Sequence, residues 1–311
     1  MKFLVTGGAG FVGSHLVEQL VHDPAAEVKI YDSYPHQRYF DFHLQDYEVV
    51  SGDILDSELV NQACHGIDVV FHLAGAVGTD YLIKDPQRAV ETNIIGTLNI
   101  LEAARANSAK VVYLSLLPDW LNPYMITKNT ATQFCQMYRN EFGLPIIVFR
   151  ASHIYGKRQK WHPVKKAVPN FIRSALADSD ISIFGTGEQL MDLIYVNDAA
   201  SAMINCLKMP DAWGKVIELG SGIGITVREL ALKIIDLSSS KSQLEYIGAR
   251  PGEPVSKDAF VPADIHQLSN LIGNYLDTSL EYGLQQTIQW YMNNWSEIEP
   301  TAFNGSVGIT Q

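Results

Sequence analysis

Two groups of residues in this sequence have the types and spacing for chemistry. The first is Thr6-Gly7-Gly8-Ala9-Gly10-Phe11-Val12-Gly13, which follows the apolar run KFLVT and opens a helical pattern from Phe11 to His22. In such a loop Gly7 permits a tight turn, Gly10 lets the backbone approach a pyrophosphate, and Gly13 allows the helix to pack closely on the strand. The helix N-terminus behind it offers unpaired N–H groups and a partial positive charge to a phosphate. Glycine spacing alone is weak evidence, but the next strand ends in Tyr31-Asp32, nineteen residues after Gly13, and that context makes the pattern specific. A carboxylate there accepts hydrogen bonds from both hydroxyls of an adenosine ribose and repels a 2′-phosphate, which selects NAD over NADP. The competing reading is a plain glycine turn with a surface aspartate.

The second group is Tyr124 and Lys128, four apart in a predicted helix and so on one face. A phenol titrates near 10, so a base working near pH 7 needs a shift of roughly three units, about 4 kcal/mol. A neighbouring ammonium and an oxidised nicotinamide ring both favour the phenolate. A chance helix pair would have the same spacing. The pair lies just after the fifth strand, where a doubly wound sheet delivers side chains to the nicotinamide end of its crevice, and this favours a catalytic pair. Asp53, after the third strand, is either an acceptor for the adenine amino group or an ordinary turn or N-cap aspartate. The fourth strand ends in His72-Leu73-Ala74-Gly75. Its small residues let the backbone pass close to the cofactor's central riboses, while His72 reads as a packed strand-end histidine.

The elements that must position these residues follow from the alternation of short apolar runs with helical patterns. The strands are KFLVT, VKIYD, EVVSGD, DVVFHL, KVVYLS and LPIIVFR; helices are expected over Phe11 to His22, Ser57 to Cys64, about Pro86 to Arg105 and about Asn122 to Phe142. Strands apolar throughout and separated by helices predict an α/β fold, a doubly wound Rossmann-type parallel sheet covered on both faces. The rhythm becomes irregular after Arg150, with fewer strands and more loops expected. The predicted domains are therefore a cofactor half over 1–150, rejoined by about 188–215 through a strand near Tyr195, and a smaller substrate-binding cap over most of 151–311.

With 311 residues and 47% hydrophobic, 18% charged side chains, the chain has enough apolar material for a large core and resembles neither disordered nor fibrous proteins. Its net charge of −11 argues against nucleic acid and against an anionic membrane surface as partners, because both demand concentrated positive charge. Cys64, Cys135 and Cys206 lack metal-ligand spacing and read as reduced core residues of a cytoplasmic protein. No apolar run is long enough to span a bilayer, and the start does not read as a signal peptide.

Taken together, TGGAGFVG, Asp32, Gly52-Asp53-Ile54, His72 to Gly75, Thr92-Asn93 with Gly96, and Tyr124-Met-Ile-Thr-Lys128 resemble the extended short-chain dehydrogenase/reductase family. Within it, the chain is similar to the NAD-dependent epimerase/dehydratases that act on nucleotide sugars. Arg150 to Gly156, Phe184 to Gly187, Asp192 to Asp198, Gly220 to Gly222 and Arg250-Pro-Gly-Glu253 extend the likeness over nearly the whole chain. The resemblance implies a transient oxidation with Tyr124 as base and Lys128 beside it. It implies NAD contacts from Gly7, Gly10, Phe11, Val12, Gly13, Asp32, Asp53, Ile54, Leu73, Ala74, Gly75, Asn93, Ser115, Tyr124 and Lys128. It further implies substrate contacts from His153, Arg250 and Glu253, with Arg250 on a diphosphate, and a homodimer paired through the helices near 86–105 and 122–142.

Four departures stand out. Leu116 occupies the family's serine or threonine position, leaving Ser115 or Asp119 to replace the hydroxyl, and Tyr124 follows Ser115 by only nine residues because an active-site loop is shortened. His153 replaces an asparagine and either binds substrate or fills space; Met191 replaces an arginine. Sugar 4,6-dehydratases and related decarboxylases carry acid groups just after the serine or threonine, and Leu116-Leu117-Pro118 supplies none. The expected activity is thus a 4-epimerase of nucleotide-sugar type. The alternatives are an NAD-linked dehydrogenase of another hydroxylated metabolite and a catalytically impaired NAD-binding member.

Overall fold

The structure, a computed structural model, describes residues 1–34, 41–117, 120–162, 164–252 and 260–295. In chain order its strands are β1 (Lys2–Thr6), β2 (Glu27–Asp32), β3 (Glu48–Ser51), β4 (Val69–His72), β5 (Lys110–Leu116), β6 (Ile146–Ala151), β7 (His153–Tyr155), β8 (Ile181–Phe184), β9 (Leu190–Tyr195), β10 (Val216–Leu219), β11 (Gly224–Thr226) and β12 (Leu244–Ile247). The α-helices are α1 (Phe11–Leu20), α2 (Ser57–Ala63), α3 (Thr79–Lys84), α4 (Pro86–Val90), α5 (Gly96–Ala106), α6 (Pro123–Phe142), α7 (Ala167–Leu176), α8 (Val196–Cys206), α9 (Val227–Leu237), α10 (His266–Ile272) and α11 (Leu280–Asn293).

Seven strands form one parallel sheet in the order β10-β6-β5-β4-β1-β2-β3. Successive side chains on a strand point to opposite faces, and here both faces are apolar. Phe3, Val5, Val69, Phe71, Val112 and Phe149 pack against α1 and α8 on one side, with Leu16, Val17 and Met203. Leu4, Val70, Val111, Tyr113 and Val148 pack on the other against α2, α5 and α6. A third core of α7, α9, α11 and the strands between them builds the cap around Phe171, Ile183, Leu230 and Leu284. Arg158 joins cap to cofactor half: its side chain, 4% exposed, binds Glu18 of α1 at 2.7 Å and Asp41 at 2.7 Å.

The structure corrects three expectations. The strand near Tyr195 does not enter the main sheet; β9 pairs with β7 and β11, and β10 takes the place beside β6. The reason is chemical. Leu193 and Tyr195 belong to the cap core, whereas the fully buried Asp192 needs the N–H groups of Ser221, Gly222 and Ala263 and the Ser221 hydroxyl. The helix after β9 does return, since α8 packs on α1. Second, the half after Arg150 has six strands among its described residues, each only three to six residues long; such short runs carry little periodicity to read. Third, the helix over 86–105 is interrupted by a π-helical turn at Glu91–Ile95, whose extra residue re-aims Asn93 inward. No helix among the described residues is long and apolar enough to cross a membrane, and all three cysteines are buried thiols.

Candidate active site

The site lies along the carboxyl ends of β1, β4 and β5. Gly7 leaves β1 at φ +71°, and a Cβ there would stand 2.8 Å from the Ala74 nitrogen. Gly10 N–H donates to the Gly7 carbonyl at 2.9 Å, and a Cβ on Gly13 would fall 2.1 Å from the same oxygen. The turn, the start of α1 and the exit of β4 are therefore in backbone contact. No side chain caps α1 at Gly10, so the first N–H groups of Phe11, Val12 and Gly13 face outward without a side-chain acceptor. Asp32 stands beside this cradle. Its two carboxylate oxygens accept from Ala9 N–H at 3.1 Å and Tyr34 N–H at 2.9 Å. A glycine cradle with an uncapped helix start and an adjacent carboxylate fits a dinucleotide's pyrophosphate and adenosine ribose. Lys160, from the cap, is close enough for the Asp32 charge to raise its affinity for a proton, against the larger lowering by burial.

Asn93 holds the next stretch in place. It is 1% exposed; its Oδ1 accepts from Ala76 N–H at 2.8 Å, and its Nδ2 donates to the Ala76 carbonyl and to Thr127 Oγ1 of α6. Gly75 is required beside it, since a Cβ there would lie 2.9 Å from that Oδ1. A buried chain runs on from this residue. Thr97 donates to the Asn93 carbonyl at 2.7 Å, so its oxygen accepts from His72 Nε2–H at 3.0 Å. His72 Nδ1 then accepts from Thr6 Oγ1 at 2.8 Å, and that oxygen accepts from Ala74 N–H. The donors leave one tautomer. Burial, helped by the Lys128 charge, pushes the imidazole down to about 3, so it remains neutral. The relay roles of Thr6, Thr97 and Thr127 are not legible in the sequence, because a threonine inside an apolar strand or helix has no periodicity that marks a hydrogen-bond relay.

Tyr124 is the second residue of α6. Pro123 fills the first position, and Asn122 caps the helix by accepting from Met125 N–H at 3.0 Å. The cap thereby sets where the tyrosine stands. Burial pushes the Tyr124 phenol upward, away from the phenolate, and no compensating charge offsets it. Lys128, 5% exposed, has its ammonium 4.2 Å from the Tyr113 ring centroid, and burial lowers it to about 7. A second ammonium, from Lys166 of the cap, lies 5.8 Å from the Tyr124 ring centroid; its distance along the chain hid it from the sequence reading.

The remaining predicted residues have the following partners. Ile54 is 4% exposed and packs on Gly96, within the core. Asp53 is a turn aspartate, accepting from Leu55 N–H at 3.0 Å, while Asp56 caps α2. Ser115 is fully buried, bonded to Thr132 at 2.8 Å and to the Lys128 carbonyl, so its hydroxyl is committed to α6. Leu116 points to the opposite face from Ser115, and Arg150 fixes the Leu116 and Leu117 carbonyls at 3.2 and 2.8 Å. His153 meets Phe260 edge-on at 5.2 Å. Burial lowers its imidazole to about 4, and its Nδ1 has no partner among the described residues. Met191 packs against the cap core. Arg250 meets Asp80. Glu253 and Asp119 lie outside the described residues.

Comparison with known proteins agrees with this geometry. Residues 3–115 and 118–220 match the NAD dependent epimerase/dehydratase family. The chain is 31% identical to the UDP-N-acetyl-alpha-D-glucosaminuronate decarboxylase of Bacillus cytotoxicus, over 93% of this chain and 97% of that one. It is similar in structure to the UDP-glucose 4-epimerase of Thermotoga maritima, solved with UDP-glucose, at a TM-score of 0.88 and 26% identity over 95% of this chain and 100% of that one. The UDP-glucuronic acid 4-epimerase of Bacillus cereus, solved with UDP-glucuronic acid and NAD, matches at a TM-score of 0.85 and 27% identity, covering 94% and 99%. Sheet order, glycine cradle and family match converge: this chain belongs to the NAD dependent epimerase/dehydratase family and is an NAD-dependent enzyme of that type.

Proposed function

We propose that the protein is a nucleotide-sugar 4-epimerase acting by transient oxidation of a sugar hydroxyl. The observation that carries this reading is the placement of Tyr124 and Lys128 one turn apart at the capped start of α6, beside the strand ends that form the cofactor cradle. Bound NAD supplies the hydride acceptor and the positive ring. Tyr124 takes the hydroxyl proton and later returns one. Because burial raises its phenol, base character requires added positive charge, which protonated Lys128, one turn along α6, and the bound cofactor's ring would supply. Gly7, Gly10 and Gly13 hold the pyrophosphate, Asp32 the adenosine ribose, and His153 and Arg250 the substrate. Out-and-back hydride transfer demands no further acid, which suits Leu116-Leu117, where relatives that eliminate or decarboxylate carry acid groups. A homodimer through α4 to α6 belongs to the same proposal, supported by exposed Val90, Ile95, Ile126 and Phe142.

A second reading, a noncatalytic NAD-binding member, draws on Leu116 and on the committed hydroxyl of Ser115. Purified protein with NAD and a panel of UDP-, dTDP- and GDP-sugars separates the two, with epimer formation and NADH absorbance as readouts. Epimer from one sugar, lost in Tyr124→Phe while NAD still binds, supports catalysis. Absence of product and of NADH from every sugar supports the noncatalytic member.

A further inference from the structure

We propose that Asp80 sets anion affinity at the substrate end of the site, as an internal counter-ion that an incoming diphosphate must displace from Arg250. This rests on the nucleotide-sugar reading above. The Arg250 side chain is 13% exposed, and its Nε donates to the two Asp80 carboxylate oxygens at 3.0 and 3.1 Å. Its Nη2 donates to the Lys165 carbonyl at 3.1 Å, and its guanidinium carbon lies 5.8 Å from the Phe184 ring centroid. Asp80, in the first turn of α3, is 39% exposed. The cation is thus the fixed member of the pair, and the carboxylate is the one that solvent and solutes reach.

The loop does not depend on the ion pair to stay in place. Two residues beyond Arg250, the Gly252 carbonyl accepts from Asn122 Nδ2 at 3.0 Å. Gly252 adopts φ +74°, and a Cβ there would lie 2.6 Å from Ile83 Cδ1 and 2.9 Å from Thr79 Cγ2. The loop is therefore wedged onto α3 and onto the cap of the catalytic helix. Asp80 can withdraw while Gly252 stays at the cap of α6 and the Lys165 carbonyl keeps its bond to the guanidinium. Exchange favours the newcomer: a diphosphate carries more charge than one carboxylate and matches the planar guanidinium with paired oxygens.

Calorimetric titration of UDP into the NAD-saturated protein tests this, comparing wild type, Asp80→Asn and Arg250→Ala at low and high salt. Asp80→Asn should tighten UDP by roughly two- to fivefold at low salt, and the gain should shrink at high salt. Arg250→Ala should weaken UDP by roughly tenfold or more. Unchanged NAD affinity in both variants establishes that the fold is intact. UDP bound equally or more weakly by Asp80→Asn, with Arg250→Ala still defective, overturns the counter-ion role alone. UDP bound equally by wild type and Arg250→Ala, or by none of the three, overturns the diphosphate reading of this site and the counter-ion role with it.

Discussion

Gly13→Ala tests the construction of the cofactor cradle. A Cβ on Gly13 would stand 2.1 Å from the Gly7 oxygen and 2.7 Å from the Gly8 Cα. Carbon and oxygen without a covalent bond approach to roughly 3.3 Å, so either α1 or the Gly7 turn must retreat by roughly 1 Å. The turn has little freedom, because Gly7 is already in the left-handed region and abuts the Ala74 nitrogen. The displacement therefore falls on α1, the helix whose first N–H groups face the pyrophosphate. Overpacking of this kind costs about 1–3 kcal/mol, and a withdrawn helix start weakens contacts worth up to about 2 kcal/mol. We expect a loss of up to about 2 kcal/mol in NAD affinity, roughly thirtyfold in Kd, with the overpacking appearing separately as a loss of about 1–3 kcal/mol in stability. Calorimetric titration with NAD measures it, alongside thermal unfolding with and without NAD. Gly248→Ala is the control, since a Cβ there meets nothing within 4 Å, and it should bind NAD as wild type does. A Gly13→Ala protein whose Kd lies within threefold of wild type would refute the close-approach argument.

Two further outcomes follow from the charges at the site. Asp32→Ala should shift cofactor preference toward NADP, because the repelling carboxylate is lost while Lys160 remains nearby; an unaltered ratio of NAD to NADP affinity would remove Asp32 from ribose selection. Lys128 is lowered to about 7 in the fold, against about 10.4 unfolded. Between those values the unfolded chain binds more protons, so this residue makes stability rise with pH across that window and contributes its full penalty below about 7. Lys128→Met should flatten the rise, which approaches about 1.4 kcal/mol per pH unit for one proton. Urea unfolding of both proteins at pH 7.5 and 9 measures it, and identical pH dependence would show that the buried lysine stays protonated.

Much of the cofactor half is legible in the sequence. Strands β1 to β6 are short apolar runs whose alternate residues serve two buried faces, and the glycines and Asp32 occupy fixed offsets around the first of them. Helix α6 was legible too, because Asn122, Pro123 and Gly143 mark its ends: a side-chain cap, a first-turn proline and a left-handed C-cap at φ +67°. The cap was not. Its strands are too short for a period, and Asp192, which binds groups from residues 221 to 263, is placed by hydrogen-bond demand rather than by pattern.

By itself the sequence determined six strands of the parallel sheet, the glycine turn between β1 and α1, and the one-turn spacing of Tyr124 and Lys128, all of which depend on local spacing. Only the tertiary structure decided what surrounds them. It committed Ser115 to Thr132, gave His72 a single tautomer, brought Lys166 over Tyr124 and paired Arg250 with Asp80 across 170 positions. Such contacts join different elements, from 17 to 170 positions apart, and each side chain's role depends on which partner the packing supplies. A local pattern can establish that a residue faces a site, but the charge and hydrogen bonds it meets there belong to the folded whole.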